Sequence, residues 1–325
     1  MIVEIILLAV ALGVVVKSAD WFLGSAEKIG LRIGLSPFIL GVVLVGFGTS
    51  LPELATSLAA ISNGVNDVAL ANIAGSNIAN VLLIIGVSTI LMGTIKLKKN
   101  LIDLDLPLLI GTTILFVILI ADGGLNYVDG IILMAALIGY LFYNFSYKED
   151  KGYHQGIVKL ISMLTKSSEK EVESKQNTLT KFTIPVAVVS IVLLAIGSSV
   201  AVDNLLAIVE RVNIGVDVIA FFALAIGTSL PELVVSIKSL RKGQTDVVLG
   251  NIVGSCMFNM LLIGGLASLL APQVMSSQVL LWSIVGLLVS AGLLVVSSIS
   301  RRIHVWEGYT YLLIYVAVGV KIIDM

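Results

Sequence analysis

The sequence predicts an all-α integral membrane protein, with ten transmembrane helices in two inverted five-helix repeats. Three observations predict it. Hydrophobic residues make up 58% of the chain and charged residues 13%, with a mean hydropathy of +1.06; a soluble domain has about 25% charge. The apolar runs are too many and too long for a globular core. Finally, the hexapeptide Gly-Thr-Ser-Leu-Pro-Glu occurs twice, at 48–53 and 227–232, each time inside such a run.

Taken in order, the spans fall near 2–19, 37–61, 68–92, 104–121, 126–145, 182–202, 216–238, 247–270, 278–298 and 305–323. The first run, Ile2 to Val16, lacks a basic leader and a small-residue cleavage site, so it reads as a retained span and not a signal peptide. The one sizeable polar stretch, rich in Lys, Glu and Ser, divides the chain into an N-terminal repeat (1–145), a linker (146–181) and a C-terminal repeat (182–325). The linker is too short and too polar for a core of its own. A single cysteine, Cys256, excludes an internal disulfide framework.

With ten spans the connections alternate between two sides. One side receives 18 of the 20 basic residues, including Lys96, the linker lysines, Lys238, Lys242, Arg301 and Arg302; the other receives only Arg211 and Lys321. The positive-inside rule makes the first side cytoplasmic. The expectation is a multi-pass protein of the cell membrane with both termini outside and a cytoplasmic linker.

Residues 46–86 match 225–265 at a constant offset of 179 (Gly48 to Gly227) without a gap. Beyond the hexapeptide the identities include Ser57/Ser236, Asn72/Asn251, Gly75/Gly254, Ser76/Ser255 and Asn80/Asn259. Five spans per half is an odd number, so the second half is inserted upside down. Inverted repeats with paired, interrupted hydrophobic segments point to a secondary transporter with its site at the bilayer midplane. Two near-equivalent halves can exchange conformations, which makes alternating access natural.

The chemistry follows from the repeated residues. A carboxylate in a span centre costs about 2.5–3.5 kcal/mol on insertion scales, and this chain has Glu53 and Glu232 there. Pro52 removes a backbone donor, so carbonyls from about Gly46 to Thr49 should lose helical partners and seek another. Thr49 and Ser50 add hydroxyls beside them; Ala225, Thr228 and Ser229 repeat the set. Opposed across a pseudo-twofold axis, these groups form an all-oxygen cage with two negative charges, as hard cations want; calcium takes about 6–8 oxygens. Ser76 with Asn80, and Ser255 with Asn259, share one helical face by their i, i+4 spacing and can add neutral oxygens. Gly75 and Gly254 allow close backbone approach. Asp20, Asp203, Asp67 and Asp246 sit at span ends and read as solvated termini, and Cys256, at the position of Asn77, reads as a small packed residue. A lone Gly-x-x-x-Pro is more often a kink and a lone Ser or Asn more often a helix–helix bond; two gapless copies favour function.

At these residues the resemblance is specific. The paired Gly-Thr-Ser-Leu-Pro-Glu segments, each followed by an Asn-Ile-x-Gly-Ser segment, resemble the two alpha repeats of the sodium/calcium exchanger family, of prokaryotic type without a regulatory domain. The resemblance implies ten helices with a diamond of four at the core. It implies cation ligands at Thr49, Ser50, Glu53, Ser76 and Asn80 and at Thr228, Ser229, Glu232, Ser255 and Asn259, joined by backbone oxygens near Gly46 and Ala225. Potassium-dependent members carry Asp at the position of Asn259, so the Asn disfavours potassium coupling. Proton/calcium exchangers use a Gly-Asn-x-x-Glu core, which makes proton coupling the alternative. A cation channel is a further alternative, against which the inverted repeat argues; no nucleophile–base pair or His-Glu-x-x-His motif supports an enzyme. The expectation is sodium-for-calcium antiport, with calcium and sodium as transported ions, the bilayer as surroundings, and no cofactor, nucleic acid or obligatory protein partner.

Overall fold

The computed structural model describes residues 2–62, 64, 66–96, 105–146, 180–211 and 227–323. Ten helical segments lie among them: α1 Ile2–Ile33, α2 Pro37–Ser62, α3 66–92, α4 Asp105–Ile120, α5 Tyr127–Ser146, α6 Thr183–Arg211, α7 Leu230–Arg241, α8 Thr245–Leu270, α9 Ser277–Ile299 and α10 Val305–Ile323. Seven of them are long and apolar enough to cross a membrane. Their outward faces hold large apolar side chains such as Ile138 (67% exposed), Phe142 and Leu313, which suits contact with lipid rather than water.

Two helices run on past the spans expected for them. α1 continues past residue 19 to Ile33 and α6 past residue 202 to Arg211. Hydropathy alone ends each span where polar residues begin. The backbone stays helical because those polar turns remain amphipathic, and Phe22, Leu23 and Ala26 still bury on neighbours. Asp20 and Asp203 are therefore helix-interior residues, not solvated termini, although Asp203 is exposed. The expected seventh span (216–238) is described from Gly227 onward and runs on to Arg241; its earlier part, the linker from 147 to 179 and Asp67's side chain lie outside the described residues.

Two short strand pairs reveal the repeat. β1 (Ile95–Lys96), after α3, pairs antiparallel with β4 (Arg302–Ile303), between α9 and α10, in the register Ile95↔Ile303. β2 (Gly124–Leu125), between α4 and α5, pairs with β3 (Gln273–Val274), after α8, in the register Gly124↔Val274. The repeat maps β1 onto β3 and β2 onto β4 at one offset, 178 residues from Ile95 to Gln273. Exchanging the halves thus turns one strand pair into the other. When ten spans alternate, the α3–α4 and α9–α10 connections share one side and the α4–α5 and α8–α9 connections share the opposite one. The halves are related upside down, as the odd span count requires.

The core is a diamond in which α2 packs on α3 and α8, and α7 packs on α3 and α8. α5 covers the end of α8 and α10 the end of α3, matching under the repeat. α1 and α6 pack lengthwise on each other and flank the diamond. The tightest approach is α2 on α8. A Cβ added at Gly46 would lie 2.9 Å from the Ser255 nitrogen, and one at Gly254 2.6 Å from the Val42 carbonyl oxygen, so glycine is what lets the backbones meet. Gly254 fulfils its expected role. The counterpart neighbour of Gly75, at Phe221, lies outside the described residues.

Candidate cation site

Both hexapeptides break their helix in the same way. Ser50 sits at φ −82°, ψ 0° and Ser229 at φ −89°, ψ 6°, the sparsely populated bridge region that closes a turn. A fresh helical segment starts at Leu51 and at Leu230, which places Glu53 and Glu232 in its first turn. The partial positive charge of a helix N-terminus favours a carboxylate at that place. Glu53 is 1% and Glu232 0% exposed, and they lie within electrostatic reach of each other.

The partner helices break regularity at matching points. α3 turns π-helical at Ala79–Leu83 and α8 at Asn259–Ile263. Single π turns of this kind mark functional sites because the extra residue re-aims a side chain. Asn80 and Asn259 sit at these turns, both fully buried.

The structure brings predicted residues of the two repeats together in two mirrored pairs. Thr49 Oγ1 and Ser255 Oγ are 3.4 Å apart, and the mirrored pair, Ser76 Oγ and Thr228 Oγ1, 3.1 Å. The Cys256 thiol lies 3.9 Å from the carbonyl oxygen of Asn77, its own repeat counterpart, so the pseudo-twofold axis passes between them. Cys256 is buried and small, as expected.

Among the described residues, several buried polar atoms at this place have no hydrogen-bonding partner: Ser50 Oγ, Ser229 Oγ, both carboxylate oxygens of Glu53 and of Glu232, and the amide atoms of Asn80 and Asn259. Buried polar groups are almost always satisfied, and unpaired buried carboxylates cost several kcal/mol each. Every unsatisfied acceptor in this set is oxygen, and among the described residues no group of three or more His, Cys, Asp or Glu forms a conventional metal cluster. The donor set fits a hard cation bound by carboxylates, hydroxyls and amide carbonyls.

One expectation needs correcting. The Gly46 carbonyl does not lose its helical partner: it accepts from the Ser50 amide at 3.1 Å, from Thr49 Oγ1 at 3.3 Å and from Ser255 Oγ at 3.3 Å. Pro52 deletes only the donor four residues beyond Gly48, so Gly46 keeps its own. Its oxygen could serve an ion if the two hydroxyls turned away. Ala225 lies outside the described residues.

Asn72 and Asn251 are repeat identities whose place only the packing shows. Asn251 Oδ1 accepts from Thr49 Oγ1 at 3.2 Å, and its Nδ2 donates to Ser236 Oγ at 3.1 Å and to the Glu232 carbonyl at 3.5 Å. Asn72 Nδ2 donates to Ser57 Oγ at 3.3 Å. These asparagines brace the glutamate helices, and the signal was their conserved spacing from both glutamates across the two halves.

An inverted repeat with two buried carboxylates beside buried hydroxyls and amides is the pattern of a secondary cation transporter. The comparisons with known proteins name the family. The sequence pattern described as sodium/calcium exchanger protein matches residues 3–146 and 182–321. The sodium/calcium exchanger MaX1 of Methanosarcina acetivorans is 30% identical over 344 residues, covering 97% of each chain. The inner membrane protein YrbG of Escherichia coli is 31% identical over 280 residues, 84% of this chain and 81% of that one. Among solved structures, the sodium-calcium exchanger NCX_Mj soaked with 100 mM Na+ and 10 mM Sr2+ superposes with a TM-score of 0.76 at 25% identity, covering 97% of each chain. The chain belongs to the sodium/calcium exchanger family.

Proposed function

We propose that the protein exchanges sodium for calcium across the cell membrane by alternating access, without potassium, with both ions using the cage around Glu53 and Glu232. One observation supports this above the rest: two fully buried carboxylates at matching places in the two repeats have no hydrogen-bonding partner among the described residues, and neither hexapeptide carries a basic residue to balance them. An empty, doubly charged cage should resist crossing between states. One calcium ion neutralises it, and so do sodium ions, so both loaded forms can cross and the fluxes are coupled.

The neutral amide of Asn259 supports potassium independence, since it supplies no third charge. The basic-residue asymmetry supports outer termini and a cytoplasmic linker. The test is calcium uptake into sodium-loaded proteoliposomes, repeated with potassium and with a proton gradient as counter-ion. Uptake should follow sodium alone. Uptake that persists with no opposing gradient would indicate a channel, and retention of uptake in both Glu53→Gln and Glu232→Gln would refute the site.

A further inference from the structure

Polar contacts tie α1 to α7 at one end of the molecule. Lys238 Nζ donates to Asp20 Oδ2 at 2.8 Å. Lys242 Nζ donates to Glu27 Oε1 at 3.1 Å, and Gln244 Nε2 reaches the same oxygen at 2.9 Å. Asp20 and Glu27 are seven residues apart on one face of α1; Lys238 lies in the last turn of α7 and Lys242 caps its C-terminus. This is the end that carries the basic connections.

The repeat makes these contacts informative. The acids recur: Asp203 and Glu210 stand on α6 with the same spacing of seven, 183 residues beyond Asp20 and Glu27. Their partners do not. The positions 179 residues before Lys238, Lys242 and Gln244 are Ala59, Asn63 and Val65, none of them basic. Asp203 is exposed and forms no ion pair among the described residues. The packing is equally one-sided, since α1 lies closely along α7 while α6 makes much sparser contact with the Leu51–Ser62 segment of α2.

In an inverted-repeat transporter the two access states are related by the halves exchanging conformations. After the exchange α1 stands to α7 as α6 now stands to α2, at a distance that leaves these contacts open. The alternate state gains no equivalent bond, because the lysines exist in one half only. We infer that Asp20–Lys238 and Glu27–Lys242 form a one-sided latch that lowers the energy of the state closed at the basic-loop end, and so sets the resting bias between the two access states. The inference rests on the alternating-access reading above. Asp20, Glu27, Lys238 and Lys242 are positioning residues; none belongs to the cation cage.

The test measures the apparent Michaelis constant for calcium at each face, in proteoliposomes sorted by orientation, for the unaltered protein, Lys238→Ala/Lys242→Ala, and the charge swap Asp20→Lys/Lys238→Asp. Apparent affinity scales with the population of the binding-competent state. Partly exposed ion pairs are individually weak, so the double variant should shift the constants by about two- to tenfold. The signs must oppose: tighter at the face the latch closes, weaker at the other. Choline chloride should shift the unaltered protein the same way by screening, and the swap should restore its balance. Equal shifts at both faces, or none, overturn the latch, as does a swap behaving like the double alanine. If the unaltered protein shows no sodium-dependent calcium flux, the antiport reading fails instead, which separates the two failures.

Discussion

The two halves of the molecule agree around the two buried glutamates and disagree at the helices that flank them. At the cage the correspondence extends to backbone angles, with Ser50 and Ser229 within a few degrees of each other, and to mirrored bonds such as Asn72 to Ser57 and Asn251 to Ser236. At the flanking pair it fails, since Lys238 and Lys242 bind α1 while Asp203 on α6 has no ion pair among the described residues. The energies of the two access states need not be equal, so the flanks are free to differ.

The largest expected effect tests the agreement. Glu53→Gln and Glu232→Gln should each reduce exchange by more than about 100-fold, beyond the 10–100-fold typical of outer supporting residues. A proteoliposome flux assay in which one of them retains near-normal activity would show the cage to be one-sided. Next come the braces. Asn72→Ala and Asn251→Ala should weaken calcium binding by about 10–100-fold, with Asn251 the more severe because it also holds the Thr49 hydroxyl across the repeat boundary. Isothermal titration in detergent ranks the pair, and a larger loss at Asn72 would contradict that order.

Smaller effects concern packing. Gly46→Ala and Gly254→Ala push a methyl group into backbone atoms at 2.9 and 2.6 Å, and should destabilise the fold by about 1–3 kcal/mol. Thermal melting in detergent reads this against Gly139→Ala, whose added carbon meets nothing within 4 Å. The smallest effect belongs to the axis. Cys256→Ser keeps a donor for the Asn77 carbonyl and should change stability by no more than about 1 kcal/mol; a larger melting shift would mean that the thiol's packing matters more than its bond.

Much of the site was readable because repetition is a signal that one chain can carry alone. Each hexapeptide was ambiguous by itself, a proline kink with a costly glutamate. The second copy, in the opposite orientation, made the pair interpretable. Other features were not readable, for identifiable reasons. The extensions of α1 and α6 follow from packing between residues far apart in sequence. The π turns at Asn80 and Asn259 leave no compositional trace. The partners of the Gly46 carbonyl include Ser255, more than 200 residues away.

The sequence by itself determined the all-helical membrane pattern, the internal repeat and the two glutamates, because hydropathy and constant offset are one-dimensional quantities. Only the tertiary structure decided which buried oxygens remain unpartnered, which asparagines brace them, and that Asp20 meets Lys238. Those depend on distances between helices that lie far apart along the chain.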